Sequence, residues 1–222
     1  MNILDYDTER YDFKSLVEEW FDCDNLSILH TYKKYNKFKR ENDQSTIWHK
    51  AFYNMVRVDG RFNDLYTSFL RNEICSRYDD DLIYQKIPTF RVHLPNNVAV
   101  GEFHKDKDYR DEEWCKEVKE INYYLPLTPS RDTNTFWVES AEDVGDYTPT
   151  NCTYGQYVEW DAVNLKHGNK INEEQKTRVS FDFRVILKSR YIQNDSETIN
   201  AGMKFKIGEY YEQLNCLDGD SS

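Results

Sequence analysis

Two histidines and one aspartate are the residues in this sequence whose types and spacing most clearly suggest a site for chemistry. His104 and Asp106 are two residues apart, and on an extended strand their side chains point to the same side while Lys105 points away. His167 can supply a third donor if the intervening strands fold back. Two imidazoles and one carboxylate on one face of a metal ion leave its opposite face open. The pattern therefore predicts an iron(II) site with free coordination positions.

An Arg-x-Ser pair follows on a strand soon after the third candidate ligand. Residues 177–186 alternate polar and apolar side chains without interruption, which is typical of a strand with one polar face. If that face points to solvent, it is a wet edge. If it points inward, Arg178 and Ser180 form an anion pocket beneath the metal. Alternation alone leaves both interpretations open.

Six short segments together carry a family resemblance: 92–95, 101–106, 120–128, 133–140, 167–169 and 178–184. They resemble the iron(II)/2-oxoglutarate-dependent oxygenases, and within that superfamily the chain is most similar to the StrG-like group of streptomycin biosynthesis. The similarity covers about residues 84–187. It implies a double-stranded β-helix, a jelly-roll or cupin-like fold.

The resemblance also implies a set of cofactors and the residues that bind them. His104, Asp106 and His167 are expected to hold Fe(II) and to form the catalytic centre, where O₂ also binds. Arg178 is expected to bind the far carboxylate of 2-oxoglutarate, because a guanidinium fork matches a planar carboxylate better than an ammonium does. Further contacts with this co-substrate are expected from three side chains: Ser180, Tyr124 and Asn122.

The reaction implied by the resemblance is oxidation of a C–H bond, coupled to conversion of 2-oxoglutarate into succinate and carbon dioxide. Asp106 favours hydroxylation over halogenation, since halogenating relatives have Gly or Ala at that position. The expected substrate is a small polar metabolite, such as an amino acid, sugar or aminocyclitol derivative, bound by Arg91, Trp137 and Glu139 at the cavity mouth. This last step is analogy rather than a derivation from the site.

Two other functions remain compatible with the residues. A peptide or protein hydroxylase would use the basic run from Lys33 to Arg40 to dock an acidic partner. A cupin-like metal-binding protein without enzymatic activity would keep the three ligands but form no succinate.

The elements that position these residues change character near residue 84. Apolar residues at helical spacing predict helices over 13–21, 45–57 and 60–78, with a basic helical face within 26–43. From Tyr84 the period becomes 2, and about eight short antiparallel strands follow. The fold class is therefore mostly β with an N-terminal helical layer. We expect one domain over 1–222, with a helical layer at about 1–80, a β core at about 84–187 and a C-terminal extension at 188–222.

Composition narrows the possible partners and setting. A formal charge of −11 disfavours nucleic acid as a partner. The five cysteines show no CxxC spacing, so we expect neither a disulfide framework nor a zinc site. No leader or membrane-spanning stretch is evident, which predicts a cytoplasmic protein without a membrane partner. The charged segment 107–118 is expected to be a surface loop and a candidate lid.

Overall fold

A computed structural model describes residues 1–32, 44–99, 102–197 and 202–216 of the chain. Two antiparallel β-sheets form the centre of the structure, accompanied by five α-helices in the described residues. The helices are α1 (Phe13–Phe21), α2 (Leu29–Tyr32), α3 (Ile47–Val58), α4 (Arg61–Phe69) and α5 (Glu112–Val118), and α4 continues through a π-helical turn at Leu70–Ile74. The strands are β1 (Asn2–Asp5), β2 (Leu82–Gln85), β3 (Thr89–His93), β4 (Ile121–Pro126), β5 (Phe136–Val138), β6 (Thr148–Pro149), β7 (Gln156–Trp160), β8 (His167–Asn169), β9 (Arg178–Leu187) and β10 (Tyr211–Leu214).

The strands form two antiparallel sheets that pack against each other. The larger sheet has the order β1-β7-β4-β9-β2-β10, with β3 also paired to β9, and the smaller sheet has the order β6-β5-β8. Tyr124 of the larger sheet packs edge-on against Phe136 of the smaller one at 4.9 Å between ring centroids. The inner faces of the two sheets therefore meet, and the polar side chains between them form an interior site.

The N-terminal helices cover the outer face of the larger sheet with aromatic rings. Phe52 of α3 stacks on Phe90 of β3 at 4.1 Å, and Phe13 of α1 contacts Phe181 of β9 at 5.2 Å. Tyr66 of α4 contacts Phe183 at 5.3 Å. Complete burial of each such ring stabilises the fold by roughly 1.5–3 kcal/mol. The sequence pattern placed α1, α3 and α4 correctly, whereas 33–43, with the whole basic run from Lys33 to Arg40, lies outside the described residues.

This packing decides the orientation of β9. Val179, Phe181, Phe183 and Val185 are all fully buried, and the helices occupy that side of the sheet. Since side chains alternate along a strand, the polar side chains of β9 point towards the smaller sheet. The interpretation of this face as an interior surface is therefore the one the fold adopts.

Two expectations from the sequence are wrong. Residues 112–118 form α5, whose Trp114, Cys115 and Val118 are buried, instead of an open surface loop. A disulfide joins Cys75 to Cys216, 141 residues apart. The two cysteines are far apart in sequence. They meet only because β10 pairs with β2. Across the described ranges, no helix combines the length and apolar character needed to span a membrane.

Candidate metal centre and cofactor pocket

His104, Asp106 and His167 meet at one point between the sheets. One ligand atom from each lies within 4.8 Å of the others, and Asp106 Oδ1 is 3.7 Å from His104 Nε2 and 4.0 Å from His167 Nε2. The backbones of the two histidines form an antiparallel bridge with two N–H···O=C bonds of 2.9 Å. This bridge extends the smaller sheet beyond β8 and brings together two ligands that are far apart in sequence.

Hydrogen bonds to the backbone fix both imidazole rings. His104 Nδ1 lies 2.9 Å from the Glu102 carbonyl oxygen and His167 Nδ1 lies 3.0 Å from that of Leu165. A carbonyl only accepts, so each Nδ1 carries the proton and each Nε2 presents its lone pair. This tautomer is the one that metal-binding histidines need. With Asp106 Oδ1, these donors fit an iron(II) ion.

Arg184 holds the second oxygen of Asp106. The guanidinium donates to Asp106 Oδ2 from Nη2 at 2.8 Å and from Nε at 3.3 Å. Glu120 forms an ion pair with the same arginine at 3.1 Å and a second one with Arg110 at 2.8 Å. Tyr210 adds its hydroxyl oxygen as an acceptor at 2.6 Å. Asp106 is thereby locked in one orientation, with Oδ1 left for a metal.

The charge state of the three ligands follows from burial and these neighbours. Burial opposes the charged form of Asp106, but Arg184, His104 and Arg110 outweigh it, so the pKa of Asp106 lies well below its ordinary value. Burial lowers the pKa of His167 to about 4. For His104 burial acts in the same direction, but the neighbouring Asp106 carboxylate outweighs it and the pKa is raised.

A second cluster surrounds Arg178 in the same cavity. The guanidinium donates from Nε to the Asn134 carbonyl at 3.0 Å and from Nη1 to Ser180 Oγ at 2.8 Å. Within the described ranges no carboxylate forms an ion pair with it, because nearby Asp182 pairs with Arg91 instead. Burial lowers the pKa of Arg178. A buried cation in this position gains from an anionic ligand.

Tyr124 and Asn122 also line this cavity. The Arg178 guanidinium lies 5.8 Å from the centre of the Tyr124 ring. The Tyr124 hydroxyl is 2.7 Å from Ser130 Oγ, which donates to Thr135 Oγ1 at 2.8 Å. Asn122 instead accepts from the Ala162 amide at 3.1 Å. Tyr124 is therefore placed beside the anion pocket, and Asn122 fixes the segment that follows β7.

The cavity holds about 740 Å³ and connects both clusters. Besides the ligands and Arg178, its wall includes Trp160, whose ring meets His167 edge-on at 4.5 Å. Tyr109 lies 5.4 Å from the His104 ring between centroids. Space on this scale suits small metabolites. Other lining residues are Tyr53, Arg57, Ile87, Thr89, Glu102 and Met203.

The three expected substrate residues have different surroundings. Arg91 lines the cavity and bonds to Asp182 from Nε at 3.1 Å. Trp137 lies under Lys170, 3.2 Å from Nζ to the ring centre, and Glu139 accepts backbone N–H groups; both lie apart from the cavity-lining residues. The sequence did not indicate that Arg184 would contact Asp106. The one clue was the alternation along β9, which places Arg184 on the same strand face as Arg178.

Comparison with known proteins places the chain in a family. No protein-family model matches it. The streptomycin biosynthesis protein StrG of Streptomyces griseus is 36% identical over 212 residues, which cover 95% of this chain and 97% of that protein. The chain therefore belongs to the StrG family.

Several solved structures show a weaker likeness. AviO1 from Streptomyces viridochromogenes Tue57 is 14% identical, with a TM-score of 0.45 over 86% of this chain and 91% of the other. A nickel complex of the non-heme monooxygenase ThoJ is 15% identical, with a TM-score of 0.46 over 61% and 58%. HygX from Streptomyces hygroscopicus, with nickel and 2-oxoglutarate bound, is 10% identical, with a TM-score of 0.38 over 89% and 87%.

Proposed function

We propose that this chain is an iron(II)- and 2-oxoglutarate-dependent dioxygenase that hydroxylates a small polar metabolite, built on a double-stranded β-helix. One observation carries the proposal: the His104–Asp106–His167 cluster and the buried Arg178 guanidinium line one cavity. A metal that binds an oxoacid through its near end needs a cation at the far end, and this cavity supplies both. The two packed antiparallel sheets support the proposed fold.

The three ligands would hold the metal through His104 Nε2, Asp106 Oδ1 and His167 Nε2. When bound, the iron supplies the oxidising chemistry with dioxygen and the oxoacid. Asp106 occupies a coordination position with a carboxylate, which favours hydroxylation over transfer of a halide. Arg184 keeps that carboxylate ionised and in one rotamer.

Arg178 would bind the far carboxylate of 2-oxoglutarate. Its Nε and Nη1 groups are anchored by Asn134 and Ser180, so the guanidinium is oriented before the ligand arrives. The buried ring of Tyr124 lies beside it, with its centre 5.8 Å from the guanidinium carbon. Preorganised, charge-assisted hydrogen bonds of this kind favour a dicarboxylic acid over a monoacid.

The remaining cavity would accept the substrate. Arg91 and Asp182 present a cation and an anion side by side, half-buried at 18% and 24% side-chain exposure. Such a pair matches a ligand that carries hydroxyl or amino groups, because each charge can exchange its partner for a ligand atom. The substrate class proposed here is an amino acid, sugar or aminocyclitol derivative.

Succinate release tests the proposal. The protein would be incubated under air with iron(II), 2-oxoglutarate and ascorbate, across a panel of amino acids, aminocyclitols and short peptides. We expect succinate in amounts that rise with the true substrate and vanish in His104→Ala. Stimulation by a peptide alone would favour a peptide hydroxylase, and absence of succinate throughout would contradict enzymatic function.

A further inference from the structure

Residues 139–146, in the loop between β5 and β6, make non-covalent contacts with both segments that carry the proposed metal ligands. We call these residues the brace loop. Glu139 is only 2% exposed, and its Oε1 accepts the Lys166 N–H at 2.6 Å. The Glu139 N–H in turn donates to the Lys166 carbonyl at 3.2 Å. This reciprocal pair fixes the residue immediately before His167.

The same side chain also stabilises the brace loop. Glu139 Oε2 accepts the Gly145 N–H at 3.1 Å. Asp146 accepts the N–H and hydroxyl of Ser140 at 2.9 and 2.7 Å. The loop is therefore closed on itself at its base, and its tip has a defined position.

The tip of the brace loop holds the other ligand segment. Lys105 lies between His104 and Asp106, and its ammonium pairs with Glu142 at 3.0 Å and with Asp143 at 2.7 Å. Lys107, just after Asp106, pairs with Glu142 as well. Lys105 is 8% exposed, so its side chain has little freedom. Both ligand segments are thus tied to one short loop.

We propose that the brace loop sets the spacing of the metal ligands, with Glu139 as the main positioning residue and Glu142 as a weaker one. Glu139 touches no ligand side chain and acts through the backbone of Lys166. This inference rests on the proposed metal site. It assigns Glu139 to the metal centre's support instead of to substrate binding.

The difference between the two glutamates follows from their surroundings. Glu139 is buried and accepts the N–H of Lys166, which is partly buried, so its loss removes the acceptor of that N–H beside His167. Glu142 is 45% exposed, and exposed ion pairs are weak and screened by salt. Changes at Glu139 should therefore have large effects at any ionic strength, while those at Glu142 should depend on salt.

Cobalt binding to the metal-free protein tests the proposal. The dissociation constant would be measured by chelator competition, and the absorption spectrum recorded at saturating cobalt. The variants are Glu139→Ala, Glu139→Gln and Glu142→Gln, compared with Glu159→Gln as the control. Glu159 bonds to Arg77, Tyr78 and Tyr123, away from both ligand segments, so its change should lower thermal stability alone.

We expect Glu139→Ala to weaken cobalt binding about 10- to 100-fold, the usual effect of losing an outer partner of a metal ligand, and to alter the spectrum. Glu139→Gln, which keeps one acceptor oxygen, should have a smaller effect. Glu142→Gln should weaken binding about threefold at low salt and not at 1 M salt. Control protein should bind within twofold of wild type.

Hydrogen exchange supplies a readout on the metal-free chain. Loss of Glu139 should speed exchange of the Lys166 amide, which identifies the brace even if Glu139→Ala is too unstable for titration. Unchanged exchange in Glu139→Gln and Glu139→Ala, or cobalt affinity within twofold of wild type, would overturn the brace alone. Wild-type protein that binds no cobalt would overturn the metal site and the brace with it.

Discussion

Arg184 clamps Asp106 by two hydrogen bonds, so that one carboxylate oxygen faces the arginine and the other faces the two histidines. The clamp is itself compensated by Glu120. A conventional description of the site as three ligands omits this fourth residue, which decides the direction in which the carboxylate can donate.

Replacement of Arg184 by lysine should weaken metal binding about tenfold, since an ammonium keeps the charge but not the fork that fixes the Asp106 rotamer. The measurement is cobalt affinity by competition. Arg77→Lys is the matched control, because Arg77 pairs with Glu159 at 2.7 Å away from the site. Equal affinities in Arg184→Lys and wild type would contradict the role given to Arg184.

Replacement of Arg178 by alanine should raise the KM for 2-oxoglutarate at least 100-fold. The variant loses charge-assisted hydrogen bonds to the carboxylate, each contributing roughly 1.5–3 kcal/mol. Ser180→Ala should raise the KM several-fold only, because it removes a group that orients Arg178. Steady-state succinate assays with varied oxoacid give both values. A normal KM in Arg178→Ala would place the anion pocket elsewhere.

Replacement of Asp106 by glycine should abolish substrate hydroxylation and weaken metal binding, since only two protein donors remain. The assay is product formation by mass spectrometry, with bound metal measured on the same sample. Glu113→Gln, at a side chain that is 81% exposed on α5, serves as the control and should behave as wild type. Full activity in Asp106→Gly would refute its assignment as a ligand.

The free energy of unfolding should decrease as the pH is lowered below about 6.5, because of two buried histidines. Burial, followed by Arg91 for His49 and Arg178 for His93, lowers each pKa to about 3. In the unfolded chain each titrates near 6.5. Between these values only the unfolded state takes up the proton, so each histidine costs about 1.4 kcal/mol per pH unit on acidification. Above pH 6.5 both histidines are neutral in the folded and the unfolded chain, so this loss of stability is absent.

Denaturant titrations at pH 6, 5 and 4 check this dependence. In His49→Gln, the slope of the unfolding free energy against pH should be smaller than the wild-type slope, by the amount that corresponds to the uptake of about one proton. An identical slope would mean that His49 is protonated in the native state as well.

Loss of the Cys75–Cys216 disulfide should destabilise the fold by about 2–5 kcal/mol, because it closes a long loop in the unfolded chain. Cys216→Ser and reduced wild-type protein should show the same lowered Tm by calorimetry. A reductant should have no further effect on Cys216→Ser. If reduction left the Tm of wild type unchanged, the bond would be absent or unimportant.

The sequence was sufficient for the local parts of the site and insufficient for its long-range parts. His104 and Asp106 are two residues apart with an extended Lys105 between them, so their spacing alone placed them together, although Asp106 begins a 3-10 helix instead of continuing the expected strand. Their meeting with His167 depends on the backbone bridge between His104 and His167, which are 63 positions apart in sequence; only the family resemblance indicated it. The same limit explains the missed disulfide.

Alternation shows which residues share a face but not which face is interior. For β9 the helical layer decides the matter. For β5 it is Phe136 and Val138 that pack inward against Tyr124 and Val158, so Trp137 points to the other side. Glu139 lies beyond the end of the strand, where alternation no longer applies. Charge partners such as Arg184 and Glu120 were equally invisible, because strand pairing creates them.

Strand β9 supplies aromatic rings to the helical layer from one face and Arg178, Asp182 and Arg184 to the cavity from the other. Deleting one residue within it would exchange those two sets of side chains at a stroke. Laboratory evolution of this protein should therefore accept many point substitutions in the strands beside β9, yet recover almost no insertions or deletions within it.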